Sequence, residues 1–361
     1  MMSWVSVRLD RLNDYMIAPD EGATNPYREG ARRDGAERHY SIRVAEAELA
    51  AGAPLAETDA KRPANTLFFP RGGRPARLWM RIYVPDQGLD ARGAAPLPKP
   101  TLRLADGSVL AGDAVCRKVV VKEGAVAMSV LGKTGTQTLL NLASATSPYH
   151  PAQPTPKWYT FYNPPFAIVP HIAGTPVEFL SALFSHKRKG GFFSTLDNAY
   201  MVAMIDNRFN DVLVIRGKAV TTPKTQAGTA VMQAGDLRYW SFCQYHSLFA
   251  PSVEGCIYDE QAPRDAAGNY TIVISTADKR PINATPECGV AWMDWGAVGD
   301  GLGNPHGGML IYRNMLAKPD FKKSVFDARE PGDEAGVLGE YFPHALYMSK
   351  ADFEKSSCPA H

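Results

Sequence analysis

Runs in which apolar and polar residues alternate recur along this chain, punctuated by proline and glycine. Alternation sends successive side chains to opposite faces, so each run predicts a half-buried β-strand. Such runs lie at 3–10 (SWVSVRLD), 40–44, 78–84 (LWMRIYV), 199–205, 212–217 (VLVIRG), 237–245, 270–275 and 309–313. The segment 102–110 (LRLADGSVL) predicts a hairpin turning on Asp106-Gly107, since a two-residue turn of that kind needs positive φ at both central residues. Helical expectations are confined to a short piece at 177–184 and another near 350–355. With 28 prolines and 31 glycines, the turn-rich spacing favours many short strands, and the class expected is all-β.

Two stretches share one order of features. Residues 37–69 and 268–292 each carry a tyrosine at the head of an alternating run, then an acidic turn, then Arg-Pro-x-Asn. Met2-Ser3 corresponds to Trp240-Ser241, Tyr40 to Tyr270, Asn65 to Asn283, and Pro85-Asp86 to Pro319-Asp320. Order is kept while spacing drifts, as loops of unequal length require, which predicts an internal repeat. Strands at 199–217 precede the second copy and have no counterpart before the first, so the first copy is expected to lack amino-terminal strands. Between the copies, 147–176 mixes proline with aromatic residues and reads as an ordered linker. The expected organisation is a first β-sandwich module at 1–146, a linker with a short helix at 147–195, and a second module at 196–361 with a short C-terminal helix.

Composition agrees with two cores. At 361 residues the chain exceeds the roughly 250 to 300 at which single cores stop growing. Hydrophobic residues at 45% against 21% charged predict a folded chain. A net charge of +2 gives no field that argues for nucleic acid, and the basic run at 186–189 (HKRK) reads as a solvated loop. No stretch approaches the ~18 apolar residues of a membrane span, and residues 1–14 show no signal peptide. Five cysteines stand at 116, 243, 256, 288 and 358, without CxxC or histidine spacing, so no zinc site is expected and no cofactor is implied.

At the repeat's stations the chain resembles a bacterial domain of unknown function found at the carboxyl ends of many envelope and secreted proteins. The residues that carry the resemblance are Trp240-Ser241, Tyr270, Asn283 and Pro319, and in the first copy Ser3, Tyr40, Asn65 and Pro85-Asp86. The resemblance covers about half the chain and implies jelly-roll-like β-sandwiches and a secreted, periplasmic or envelope location, but no chemistry. For an exported β domain a disulfide between Cys256 and Cys288, flanking the strand at 270–275, is expected. Cys243 is the alternative partner for either, and Cys116 with Cys358 a further pairing.

Chemistry-bearing patterns are sparse. Gly132-Lys133-Thr134 lacks the earlier glycine of a phosphate-binding loop, where Ala127 stands. No Gly-x-Ser-x-Gly elbow occurs, and Cys243 and His246 sit three apart on a strand, facing opposite ways. Asp259 and Glu260, with His246 near in sequence, are the candidate acid-base residues; paired acids can divide acid and base roles, bind calcium, or form an exposed acidic turn. Trp158, Tyr159, Phe161, Tyr162 and Trp240 are the candidate ligand-binding aromatics, able to stack on sugar rings or to cover the junction between modules. The expected function is binding of a glycan, lipid or protein partner at that junction. The alternatives are a hydrolase or lyase acting through His246, Asp259 and Glu260, and a structural subunit of an extracellular assembly or homo-oligomer.

Overall fold

A computed structural model describes residues 10–47, 63–70, 78–119, 152–163, 166, 186, 195–247, 252–301, 303–356 and 358. Four strands lie in the first third: β1 Arg43–Ala47, β2 Thr66–Pro70, β3 Thr101–Arg103 and β4 Val109–Ala111. The remainder follow as β5 Tyr159–Thr160, β6 Asn198–Asp206, β7 Val212–Lys218, β8 Tyr239–Tyr245, β9 Val253–Tyr258, β10 Asn269–Ser275, β11 Val290–Asp294, β12 Gly307–Met315 and β13 His344–Met348. The α-helices among the described residues are short: α1 Asp113–Lys118, α2 Glu334–Leu338 and α3 Lys350–Glu354. The fold is all-β.

Two sheets face each other over one core. The first has the order β11-β10-β7-β13 and the second β5-β6-β12-β8-β9. Alternation decides which side chains meet: Met201, Ala203 and Ile205 of β6, Trp240 and Phe242 of β8, and Leu310 and Tyr312 of β12 point inward. Ile215 of β7 and Tyr270, Ile272 and Ile274 of β10 meet them from the opposite sheet. One close approach depends on glycine. A Cβ at Gly217 would stand 2.8 Å from the Tyr270 hydroxyl, directly across the β7–β10 ladder.

The outer faces are covered by different parts of the chain. Helix α3 lays Phe353 on Val212, Val214 and Val273 of the four-stranded sheet. Ser349 caps α3 by accepting from the Asp352 amide (3.0 Å), and Asn283 Nδ2 donates to the Phe353 and Ser356 carbonyls at its end. Over the five-stranded sheet, Ala152 and Phe161 pack on Val202, Met204 and Met309.

The first third is built differently from expectation. Residues 78–84 form no strand, because no neighbouring strand among the described residues completes a ladder with them; Leu78, Trp79 and Met80 stand exposed. The strand expected at 40–44 begins at Arg43 and leaves Tyr40 outside it. In the 102–110 hairpin only Gly107 takes positive φ (85°), with Leu104 N–H donating to Ser108 O and Gly107 N–H to Leu104 O, so the loop is one residue longer than the predicted turn. The expected strand at 3–9 and helix at 177–184 lie outside the described residues. The two stretches share one pairing: β1 pairs in parallel with β2, which starts after Asn65, and β10 pairs in parallel with β11, which starts beyond Asn283.

Candidate functional site

The predicted acid-base trio is divided between the two ends of one hairpin. Asp259 N–H donates to Trp240 O (3.0 Å) at the start of β8, while His246 N–H donates to Ser252 O (3.0 Å) past its end. Six residues of extended chain separate these stations, about 20 Å at ~3.3 Å per residue. His246 instead meets Glu254 (Nε2 to Oε2, 3.0 Å). Hydrolase or lyase chemistry through His246, Asp259 and Glu260 therefore has no assembled site.

The two adjacent acids play different parts. Asp259 is turned inward and only 3% exposed. Burial, reinforced by the Glu260 charge, pushes its carboxyl up to about 7, against hydrogen bonds from Thr222 and the Glu260 amide that favour the ionised form. Glu260 lies at the surface side of the same turn and clasps another: its Oε1 accepts from Thr225 Oγ1 (3.1 Å) and Gln226 N–H (2.8 Å), and its Oε2 from Ala227 N–H (2.9 Å). Such a carboxylate is an anchor for backbone donors.

The predicted aromatic platform is largely core. Because β5 adds to the edge of β6, Trp158 and Thr160 face inward and Phe161 outward. Trp158 stands edge-on to Phe242, and Trp240 is sealed beside it with Nε1 donating to Val220 O (3.1 Å). Tyr162 is buried against Phe166, with Tyr159 packed alongside. Trp158, Phe161, Tyr162 and Trp240 are buried side chains that pack in apolar clusters.

The disulfide expectation is corrected as well. Cys256 is bonded to Cys243, and Cys288 to Cys358. Cys243 and Cys256 are direct partners in the β8–β9 register. Cys288, in the turn before β11, belongs to the far side of the opposite sheet, where the chain end beyond α3 reaches it. Cys256 thus belongs to a strand of the five-stranded sheet, while Cys288 packs with the cluster on the four-stranded one. Cys116 is a free, exposed thiol.

A cluster that sequence reasoning missed lies on the outer face of the five-stranded sheet. Arg313 of β12 is flanked by Tyr200 of β6 and Ser241 of β8. Its guanidinium carbon lies 5.3 Å from the Tyr200 ring and 5.4 Å from that of Tyr83, and Nη2 donates to the Tyr245 hydroxyl (3.4 Å). Arg313 Nε is buried and has no hydrogen-bond partner. No carboxylate is within ion-pair distance of this guanidinium among the described residues. Tyr83 leans on Tyr239 (5.6 Å between centroids), which stacks on Tyr258 (6.2 Å, 20° between planes). The Tyr83 hydroxyl accepts from Asn198 Nδ2 (2.9 Å) and Arg81 Nη1 (3.4 Å). Burial raises the Tyr200 and Tyr239 phenols above their ordinary value, so they stay neutral at physiological pH. The signal available in the sequence was an arginine at an outward position of a largely apolar strand, MLIYRNM.

No protein-family model matches the chain, and no curated protein matches it. Among solved structures, an uncharacterized protein from Burkholderia cenocepacia aligns with 16% identity and a TM-score of 0.29, over 63% of this chain. The aligned part spans 42% of that protein's length.

Proposed function

We propose that this protein is a secreted or envelope-associated binding protein that takes a glycan where its amino-terminal region meets the five-stranded sheet. The observation that carries this reading is the row of rings formed by Tyr83, Tyr239 and Tyr258, one from the amino-terminal region and two from the sandwich. Flat rings held by packing offer contact area to a sugar face at small entropic cost. Two disulfides fit an oxidising compartment, and no helix among the described residues is long and apolar enough to cross a membrane. The parallel pairing that follows Asn65 and Asn283 alike supports a relation between the two stretches.

The test is an oligosaccharide array followed by titration calorimetry on the intact protein. Saturable binding to one oligosaccharide class is expected, and Tyr83→Ala should weaken it by about 1 to 2 kcal/mol, the range of a lost aromatic contact. Tyr83→Ala also takes the acceptor from Asn198 Nδ2, so Tyr83→Phe, measured beside it, shows whether a fall in melting temperature comes from that lost bond or from the ring. An array with no retained oligosaccharide refutes the reading. A second reading, assembly with a partner protein, is favoured by the exposed run Leu78, Trp79 and Met80.

A further inference from the structure

The Arg313 cluster carries more charge than it neutralises. A guanidinium presents five donors in a planar fork, and a partly buried one is held by a carboxylate, a phosphate or several acceptors. Here the contacts are one long hydrogen bond to Tyr245 and two aromatic faces, while Nε is shielded from water and faces no acceptor. Aromatic quadrupoles offset part of the charge but supply no lone pair to an N–H. The Tyr200 and Tyr239 phenols, raised by burial, are neutral and do not act as counter-ions. Arg81 stands beside the same rings, donating to Tyr83.

We propose that Arg313 is the recognition residue for the carboxylate of an acidic oligosaccharide whose sugar ring lies along the Tyr83, Tyr239 and Tyr258 rings. This rests on the glycan-binding reading above and narrows it to uronate-type sugars. The carboxylate takes the Nη1 end of the fork, which no protein acceptor meets and which, unlike Nε, is not sealed from solvent. Phenolic hydrogens are at hand as well: Tyr83 and Tyr245 both use their oxygens as acceptors, which leaves each O–H to donate to an anion. A planar, bidentate anion matches this end, and stacking of the attached ring on a flat face adds contact that a bare anion lacks.

The experiment is titration calorimetry on the whole protein with four probes: an oligogalacturonate, a neutral oligosaccharide of the same length, monomeric galacturonate and inorganic phosphate. The wild type should bind oligogalacturonate at least tenfold more tightly than the neutral chain. Arg313→Met should weaken oligogalacturonate binding about 100-fold, and Arg313→Lys, which keeps the charge and loses the fork, at least tenfold. Without any sugar, Arg313→Met should melt at the wild-type temperature or above it, because it deletes an uncompensated buried cation. Equal binding of acidic and neutral chains, unmoved by either substitution, overturns this inference and leaves the glycan reading standing. Arg313-dependent binding of phosphate and galacturonate alike, with neither oligosaccharide bound more tightly, retains an anion site and sinks the glycan reading. Absence of binding by all four probes, or melting of Arg313→Met well below the wild type, shows that Arg313 is a packing residue and overturns the proposal.

Discussion

Asp259 gives a prediction whose sign and size both follow from its surroundings. In the unfolded chain its carboxyl titrates near the ordinary value of 3.8; in the folded protein burial moves it up to about 7. Between these values the folded state holds a proton that the unfolded state has released, so stability is fully present below about pH 3.8 and is lost as the pH rises towards 7. The gap is about three decades of proton affinity, which at about 1.36 kcal/mol per decade amounts to about 4 kcal/mol, of which about 2.5 kcal/mol falls between pH 5 and pH 8. Asp259→Asn keeps the shape and an acceptor for the Glu260 amide (2.9 Å in the wild type) while removing the titration. Urea unfolding of both proteins at pH 5 and pH 8 should show the wild type losing about 2.5 kcal/mol more than the variant across that interval. Glu334, also raised by burial, acts in the same direction but cancels in the comparison. If wild type and variant change in parallel between the two pH values, burial does not hold a proton on Asp259 and the reasoning fails.

Peptide mapping without reductant should recover Cys243 linked to Cys256 and Cys288 linked to Cys358, with Cys116 alkylated; any peptide joining Cys256 to Cys288 contradicts the pairing. By loop size, 13 against 70 residues of separation, Cys288→Ala with Cys358→Ala should destabilise by about 4 kcal/mol and Cys243→Ala with Cys256→Ala by about 3 kcal/mol, read from chemical denaturation. Glu260→Gln weakens a three-donor clasp and should destabilise by about 1 to 2 kcal/mol, with faster amide exchange confined to 224–232 and the segment docked on it. Uniform exchange throughout the sandwich would show instead that Glu260 supports the core.

The legible strands were those with one face in the shared core. The runs at 199–205, 212–217, 237–245, 270–275 and 309–313 all became strands, because each alternates and each sends Trp, Tyr, Phe, Ile, Leu or Met into the same interior. β9 was hidden by its edge position: VEGCIY carries an exposed glutamate and a glycine, and only Ile257 reaches the core. β13 was hidden inside a polar carboxyl-terminal stretch, where Ala345 and Tyr347 are its inward residues. The run at 78–84 failed for the converse reason, since alternation announces a strand only where another strand supplies the ladder. Among the candidate site residues, β5's place at a sheet edge turns Trp158 inward, an orientation that the sequence around it does not announce. Arg313 could not be paired with Tyr83 from sequence, because that contact spans more than half the chain and depends on how the amino-terminal region lies on the sheet.

That docking ties Glu260 to the proposed binding face. Gln226, whose amide Glu260 holds, accepts from the Gln87 N–H (3.1 Å) and its side-chain oxygen meets the Tyr258 hydroxyl. On the same loop Arg33 Nη1 donates to Lys224 O (3.3 Å), and Arg33 Nη2 pairs with Asp86 (2.6 Å). Backbone bonds between Ala31 and Met232 and between Arg33 and Ala230 extend the seam. Residues 86 and 87 are therefore fixed to a loop that Glu260 fixes to the sandwich, and Tyr83 lies three residues upstream, over Arg313. A short, multiply anchored segment has little freedom, so the angle between the Tyr83 and Tyr239 rings is set by this seam and not by their mutual attraction alone, which is worth only about 0.5 to 1.5 kcal/mol for an aromatic pair. Glu260 thus bears on the proposed site through position: it sets where the amino-terminal wall of the site stands, without reaching the ligand.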